Sequence, residues 1–305
     1  DGQGGSAADL FVPKALNHED AGRVNILLAG NSFDDEGHEG AALTDSIMVA
    51  SMDITTSHIT LISIPRDLWV DYGGHQMRIN AVFPYAASGT QGADSLGNWR
   101  LGMSALGSVA QKITGLHIDQ YALVGYTALK DMVDAVGGID VVIATGDPRG
   151  LYDANVDLTL PAGPAHLDGT DTLKLARARN HPMPGKKSYG INSDWGRAEN
   201  QRMILAALLA KVKTTPALAN PAAIVSIFDS IAANVRTDLT VSQIRRVFDL
   251  ASKSGAITSV SIKGDDKTVL LVDYTTDTGA DTVIPAAGRF VYYDIWRYLA
   301  AACAE

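Results

Sequence analysis

The clearest pattern along the chain is a series of short apolar runs that stop at glycine or proline. Residues 23–30 read Arg23-Val-Asn-Ile-Leu-Leu-Ala-Gly30, and a short aliphatic run of this kind predicts a buried strand that ends at a loop. Residues 46–52 and 59–64 are β-branched runs separated by the polar Asp53-Ile-Thr-Thr-Ser-His58, which predicts two strands joined by a tight connection. Pro65 ends the second of them.

The period then changes. Residues 106–113 and 127–136 carry apolar positions at helical spacing, and Gly137-Gly138 supplies a helix stop before a strand at 139–143. A short helix is expected at 168–176. A long one, rich in Ala and Leu in its second half, is expected at 195–212 and is broken by Thr214-Thr-Pro-Ala-Leu-Ala-Asn-Pro221. Helices around 222–233 and 242–252, a strand at 257–262 and a closing helix at 293–302 complete the pattern. Alternating helix and strand predicts an α/β sandwich.

Composition narrows the function more than the fold. The 305 residues are 46% hydrophobic and 19% charged, globular usage with enough chain for one large core or two smaller ones. A net charge of −9 argues against general nucleic-acid binding, which needs a basic surface to displace counterions. Any anion site must therefore be local. The single cysteine, Cys303, excludes an internal disulfide and a four-thiolate zinc site. No apolar run approaches the ~20 residues a membrane span needs. The opening is rich in glycine and lacks an initiator Met, so residues 1–22 are expected to be a flexible linker behind a removed membrane anchor.

The candidate chemistry lies in arginines placed beside element ends: Arg66, Arg78, Arg177, Arg179 and Arg197. In an acidic chain they suggest a bound diphosphate, because guanidinium forks match phosphate oxygens in pairs; the competing reading is ordinary surface ion pairs. If the chain turns extended after the helix ending near Ala176, Arg177 and Arg179 share one side and can grip one anion. Asp194 is placed to cap the long helix, which puts Arg197 in its first turn, against the helix dipole. Such a cation needs an anion, either a ligand or a neighbouring carboxylate. Gln201, four residues on, shares its face and offers a neutral hydrogen bond. Asp45 in Thr44-Asp-Ser46 is placed either to hold a hard cation such as magnesium with substrate phosphates, or to cap a loop. Asp34, Asp35 and Glu36 add acid nearby. His18, His38, His58, His75, His117, His166 and His181 show no metal-ligand spacing, and no Gly-x-Ser-x-Gly elbow marks a serine hydrolase.

Taken together, the motifs resemble the LytR-CpsA-Psr family: Asn25-Ile-Leu-Leu-Ala-Gly30, Thr44-Asp-Ser-Ile-Met48, Ser63-Ile-Pro-Arg-Asp67, Arg78-Ile-Asn-Ala81, Val133-Asp-Ala-Val-Gly-Gly-Ile-Asp-Val141, Leu175-Ala-Arg-Ala-Arg179 and Asp194-Trp-Gly-Arg-Ala-Glu-Asn-Gln201. The resemblance runs from about Asn25 to Val212 and implies a single α/β domain over 23–305. A central mixed sheet flanked by helices would carry an apolar cleft for a polyprenyl chain. It further implies an extracytoplasmic enzyme on a membrane anchor that moves a glycopolymer from a polyprenyl diphosphate, of undecaprenyl or decaprenyl type, to peptidoglycan or a surface protein. By the same resemblance Asp45 binds Mg2+; Arg66, Arg177, Arg179 and Arg197 bind the diphosphate; Arg78 matches a less fixed basic position; and Gln201 assists. Asp45, Arg66, Arg177 and Asp194 are the expected catalytic group, with Asp194 a candidate base. Two departures stand out. The family's Gly-x-Asp after the first strand is Gly30-Asn-Ser32 here, which leaves Ser32 as the second metal-side residue unless Asp34 substitutes. The family's second helix arginine is Asn200. A polyprenyl-diphosphate phosphatase and a non-catalytic lipid- or glycopolymer-binding module are the alternative functions.

Overall fold

The computed structural model describes residues 13–34, 42–88, 98–144, 150–179, 194–214, 232–255, 257–265 and 267–304. The chain runs through β1 (Arg23–Gly30), β2 (Ser46–Asp53) and β3 (Ile59–Ser63) to a hairpin of β4 (Trp69–Tyr72) and β5 (His75–Arg78). Helices α1 (Val82–Ala87) and α2 (Trp99–Thr114) lead to β6 (Gln120–Val124), α3 (Tyr126–Ala135) and β7 (Ile139–Ile143). After β8 (Leu151–Asp153), β9 (Leu158–Leu160) and β10 (Gly163–Leu167) come α4 (Gly169–Arg177) and α5 (Asp194–Thr214). The last third holds β11 (Val235–Thr237), α6 (Val241–Lys253), β12 (Ile257–Ser261), a hairpin of Leu271–Thr275 with Asp281–Pro285, and α7 (Tyr293–Ala302).

Six strands make the central sheet, in the order β11-β6-β1-β2-β3-β12. It is mixed: β1 pairs parallel with β6 and β3 with β12, while β1 with β2, β2 with β3 and β6 with β11 are antiparallel. Side chains alternate along each strand. Leu27, Ala29, Ile47, Val49 and Ile62 face α1, α2 and α7, packing with Phe83, Met103, Leu106 and Leu299. Val24, Ile26, Ala50, Met52, Ile59 and Leu61 face the opposite side, with Leu250 and Ala251 of α6. Both faces are covered, so the strands read as continuous apolar runs rather than alternating ones.

A third cluster joins Val133 of α3, Ile139 and Val141 of β7, Leu175 of α4 and Ile204 of α5. Helix α5 lies between two cores. Met203, Ile204, Ala207 and Leu208 join this third cluster, and Leu205, Ala206 and Leu209 join the α6 side. Contact on both sides leaves α5 without a single apolar stripe.

The elements expected at 23–30, 46–52, 59–64, 139–143, 168–176, 195–212, 242–252 and 293–302 are present to within a residue or two; the helix expected at 106–113 begins earlier, at Trp99. Gly137 and Gly138, at φ 79° and 86°, end α3 as expected. The helix expected around 222–233 lies outside the described residues except for the start of a 3-10 turn, Ala232–Asn234. Sequence reading missed the β4–β5 hairpin, although Gly73-Gly74, at φ 62° and 84°, is the pair of left-handed residues that a two-residue hairpin turn requires. Part of the expected linker is packed: Leu16 is 4% exposed within the α6-side core. No helix among the described residues is long and apolar enough to cross a membrane.

Candidate functional site

The site is built where β1, β3, α4 and α5 end or begin. Past β3, Leu68 N donates to Pro65 O at 3.1 Å, closing a turn that carries Arg66. Asn80, 5% exposed, fastens that turn to the loop before β2. Its N donates to Arg66 O, its O accepts from Thr44 N, both at 3.2 Å, and its Nδ2 donates to Asp45 Oδ1 at 3.4 Å. Arg66 then spans two carboxylates, donating from Nη1 to Asp45 Oδ1 at 2.8 Å and from Nη2 to Asp194 Oδ2 at 3.2 Å. Its Nε lies 3.6 Å from Asp67.

Asp194 gathers the other arginines. Arg179 Nε is 3.0 Å and Arg197 Nη2 2.8 Å from Asp194 Oδ1. These two are ion pairs without hydrogen-bond alignment: Arg179 Nε and Asp194 Oδ1 are buried and make no hydrogen bond. Arg177 ends α4, where Ala178 turns extended, and its guanidinium lies 5.0 Å from the Tyr126 ring centre, within cation–π range. Arg177 and Arg179 both line one cavity.

Electrostatics follow from this crowding. Burial works against the Arg66 charge, but its hydrogen bond to Asp45 and the neighbouring carboxylates outweigh it and raise its pKa. Burial also works against ionised Asp194, yet Arg197, Arg66 and Arg179 hold its carboxyl below the ordinary value. Asp67 goes the other way: burial, then a hydrogen bond to Asp194, raises it. Arg197, 6% exposed, has its charge disfavoured chiefly by burial.

The cavity measures about 540 Å³ and is lined by Asp45, Arg177, Arg179, Arg197, Gln201 and Tyr126 together with Leu28, Met48, Leu129, Met132, Ile204, Leu205, Leu208, Ile244 and Phe248. Along α5 the lining changes from Arg197 through Gln201 to Leu208, so a polar end gives way to apolar walls over about 16 Å of helix.

Several expected residues have other work. The Asp34 carboxylate accepts from Tyr126 N at 2.9 Å and Thr127 N at 2.7 Å, so both its oxygens are engaged in capping α3. Ser32, 3% exposed, hydrogen-bonds the Tyr126 hydroxyl. Gln201 lines the cavity, but its Nε2 donates to Ala176 O at 3.1 Å and so ties α5 to the end of α4. Asn200 donates to Leu175 O at 3.3 Å and Ala178 O at 3.4 Å. It closes the C-terminus of α4 rather than leaving a gap in a phosphate site. Arg78 stands one step back, bound to Asp281 O at 2.8 Å and 3.5 Å from Asp67. Asp35, Glu36, His38 and His181 lie outside the described residues. Sequence reading gave no role to Asp67, Asn80 or Tyr126, though the first two stand inside quoted motifs.

Comparison with known proteins fits this geometry. A profile of the LytR-CpsA-Psr family matches residues 6–282. The probable cell wall biosynthesis protein LcpB of Corynebacterium glutamicum is 34% identical over 186 residues, which are 61% of this chain and only 38% of that protein. The polyisoprenyl-teichoic acid–peptidoglycan teichoic acid transferase TagU of Enterococcus faecalis is 25% identical over 243 residues, 79% of this chain and 70% of that protein. Crystal structures share the fold: B. subtilis TagV has a TM-score of 0.65 at 23% identity, covering 92% of this chain and 97% of its own. TagT bound to LIIa-WTA has a TM-score of 0.67 at 16% identity, covering 95% and 97%. With a family match spanning most of the chain and the same fold in solved relatives, the chain belongs to the LytR-CpsA-Psr family.

Proposed function

We propose that this domain transfers a glycopolymer from a polyprenyl diphosphate to a cell-wall acceptor, peptidoglycan or a surface protein, outside the cytoplasm. The observation that carries the reading is the set of arginines from three separate elements converging on Asp194, beside a cavity whose far walls are apolar. Diphosphate oxygens suit the guanidiniums, which are already oriented and need little reorganisation. A polyprenyl chain suits Leu205, Leu208, Ile244 and Phe248. The enzymatic activity in the name of TagU is the same type of transfer.

In the reaction, the acceptor hydroxyl oxygen attacks the phosphorus that bears the glycan. The bond from that phosphorus to the bridging oxygen breaks, polyprenyl phosphate leaves, and a phosphodiester joins glycan to acceptor. Arg66, Arg177, Arg179 and Arg197 neutralise charge that builds on the departing phosphate. Asp194 acts as a positioning residue, since contact with three guanidiniums makes it a weak base. Asp67 stands 3.6 Å from Arg66 and next to Asp194; its ionised form is the carboxylate of the cluster assigned to take the hydroxyl proton. Asp45, the carboxylate that lines the cavity, and Ser32, which bonds the Tyr126 hydroxyl nearby, are the hard oxygens that would hold a magnesium ion, with substrate phosphate and water supplying most of its ligands. When bound, that ion would stabilise the same developing charge.

The test is transfer of a polyprenyl-diphosphate-linked glycan to peptidoglycan fragments in the presence of Mg2+, read by mass spectrometry of both products. Arg66→Ala and Arg177→Ala are each expected to slow transfer by about a hundredfold. Unchanged rates in both variants would sink the proposal. Phosphate release from lipid without acceptor would identify a phosphatase instead.

A further inference from the structure

Along the chain the histidines show no ligand spacing, but folding brings two of them to one carboxylate far from the cavity. His18 Nδ1 lies 2.9 Å and His117 Nδ1 2.8 Å from the same oxygen, Oδ1 of Asp119. The three candidate ligand atoms lie within 4.8 Å of one another, and the two rings meet edge to face at 4.7 Å.

The cluster is held on a firm frame. The Asp119 side chain is 2% exposed. Its Oδ2 accepts from Asn25 N at 2.7 Å, and its own N donates to Asn25 O at 2.9 Å. That fixes the carboxylate where β6 enters the sheet beside β1. Asn25 Nδ2 donates to His117 O at 2.8 Å and Asn17 Nδ2 to Asp119 O at 3.3 Å, so both histidine-bearing loops are fastened to the same point. The imidazoles themselves stay open to solvent, with side chains 62% and 59% exposed.

One carboxylate oxygen facing two ring nitrogens is satisfied when each nitrogen carries a proton, or when a single cation takes the place of both protons. Two imidazoles and a carboxylate suit a zinc-class ion rather than magnesium or calcium, which prefer all-oxygen shells. Bond lengths near 2.0–2.1 Å put tetrahedral ligand atoms about 3.3 Å apart, so the exposed rings need to move about half an ångström away from Oδ1 and, from a spread of up to 4.8 Å, up to about 1.5 Å toward each other. We propose that His18, His117 and Asp119 form a surface site for a zinc-class divalent cation, with a fourth position open to water or to an exogenous ligand. The site lies at the opposite end of β1 from Gly30, which lines the cavity; the five-residue step from Asn25 to Gly30 covers about 17 Å.

The experiment is calorimetric titration of the untagged chain with Zn2+ in excess Mg2+, repeated with Co2+, whose absorption spectrum reports nitrogen ligation and tetrahedral geometry. One equivalent is expected to bind. His18→Ala and His117→Ala should each weaken binding at least about tenfold, whereas Asp45→Ala leaves it unchanged. Both histidines are exposed, and thermal melting without metal verifies that the variants are folded. Equal zinc affinity in the wild type and in the His18→Ala/His117→Ala double variant would overturn the proposal, as would a loss that tracks Asp45.

Discussion

Asp194 contacts Arg66, Arg179 and Arg197 at once, and this single carboxylate offsets the mutual repulsion of the arginines around it. Asp194→Asn keeps the shape and removes the charge. Because the folded carboxyl sits below its ordinary 3.8, its contribution is present at neutral pH and is lost as pH falls through the folded value. The variant should therefore be about 2 kcal/mol less stable than wild type at neutral pH, with the gap closing in strong acid, as read from denaturant unfolding at both pH values. A gap that stays constant would mean that the carboxylate charge is not what organises the arginines. Ser32, standing where the family pattern has a carboxylate, sets a second expectation. Ser32 is buried against Tyr126, whose hydroxyl it hydrogen-bonds and whose ionisation the nearby Asp45 charge disfavours, so Ser32→Asp puts a hard, charged ligand near Asp45. Magnesium affinity should rise about tenfold, since ligand charge tunes hard-cation binding; calorimetry on the two proteins decides it.

At the scale of elements, the N-terminus of α3 shows why local sequence misreads a residue. Asp34 follows the first strand and looks like an acid available to a metal, but its partners are the backbone N–H groups of Tyr126 and Thr127, 92 and 93 positions away in sequence. It acts as a helix cap supplied from another loop. A Cβ at Gly125 would stand 2.5 Å from Asp34 Oδ2, so that position must stay bare for the cap to approach. Asp34→Ala should cost about 1 kcal/mol of stability, the usual price of a lost cap, measurable as a lower unfolding midpoint. The loss should also slow transfer, because Tyr126 and its contact with Arg177 sit in that first turn. A variant of unaltered stability would show that the carboxylate is not holding the helix end. The same logic applies to Asn200 and Gln201. Gln201 looked ready for phosphate on a helix face and Asn200 looked like the loss of an arginine contact, yet both bond the carbonyls at the end of α4 and so fix Arg177 and Arg179 from behind.

At the scale of the whole molecule, strands buried on both faces were legible because their aliphatic runs are continuous and end at Gly30 and Pro65. The arginines of the site were legible because each stands beside an element end. Their common partner was not, because Asp194 meets Arg66 across 128 positions, a distance no local pattern encodes. The packed segment before β1 was hidden for the same reason. It reads as a polar tail, but Leu16 enters the core and Leu16 N donates to Glu19 Oε2 at 2.8 Å. The other Glu19 oxygen accepts from Arg246 Nε of α6 at 2.9 Å and pairs with its Nη2. Glu19 is held below its ordinary 4.5 chiefly by that hydrogen bond to Arg246, so the pair adds stability above that value and loses it as pH falls through the folded one. Glu19→Gln should then cost about 1 kcal/mol at neutral pH, as expected for a partly buried ion pair, and nothing in acid. Denaturant unfolding of both proteins on either side of that range checks it. Equal stability at neutral pH would mean that residues 16–22 unfold independently of α6; a neutral-pH deficit that vanishes in acid makes them part of the cooperative domain.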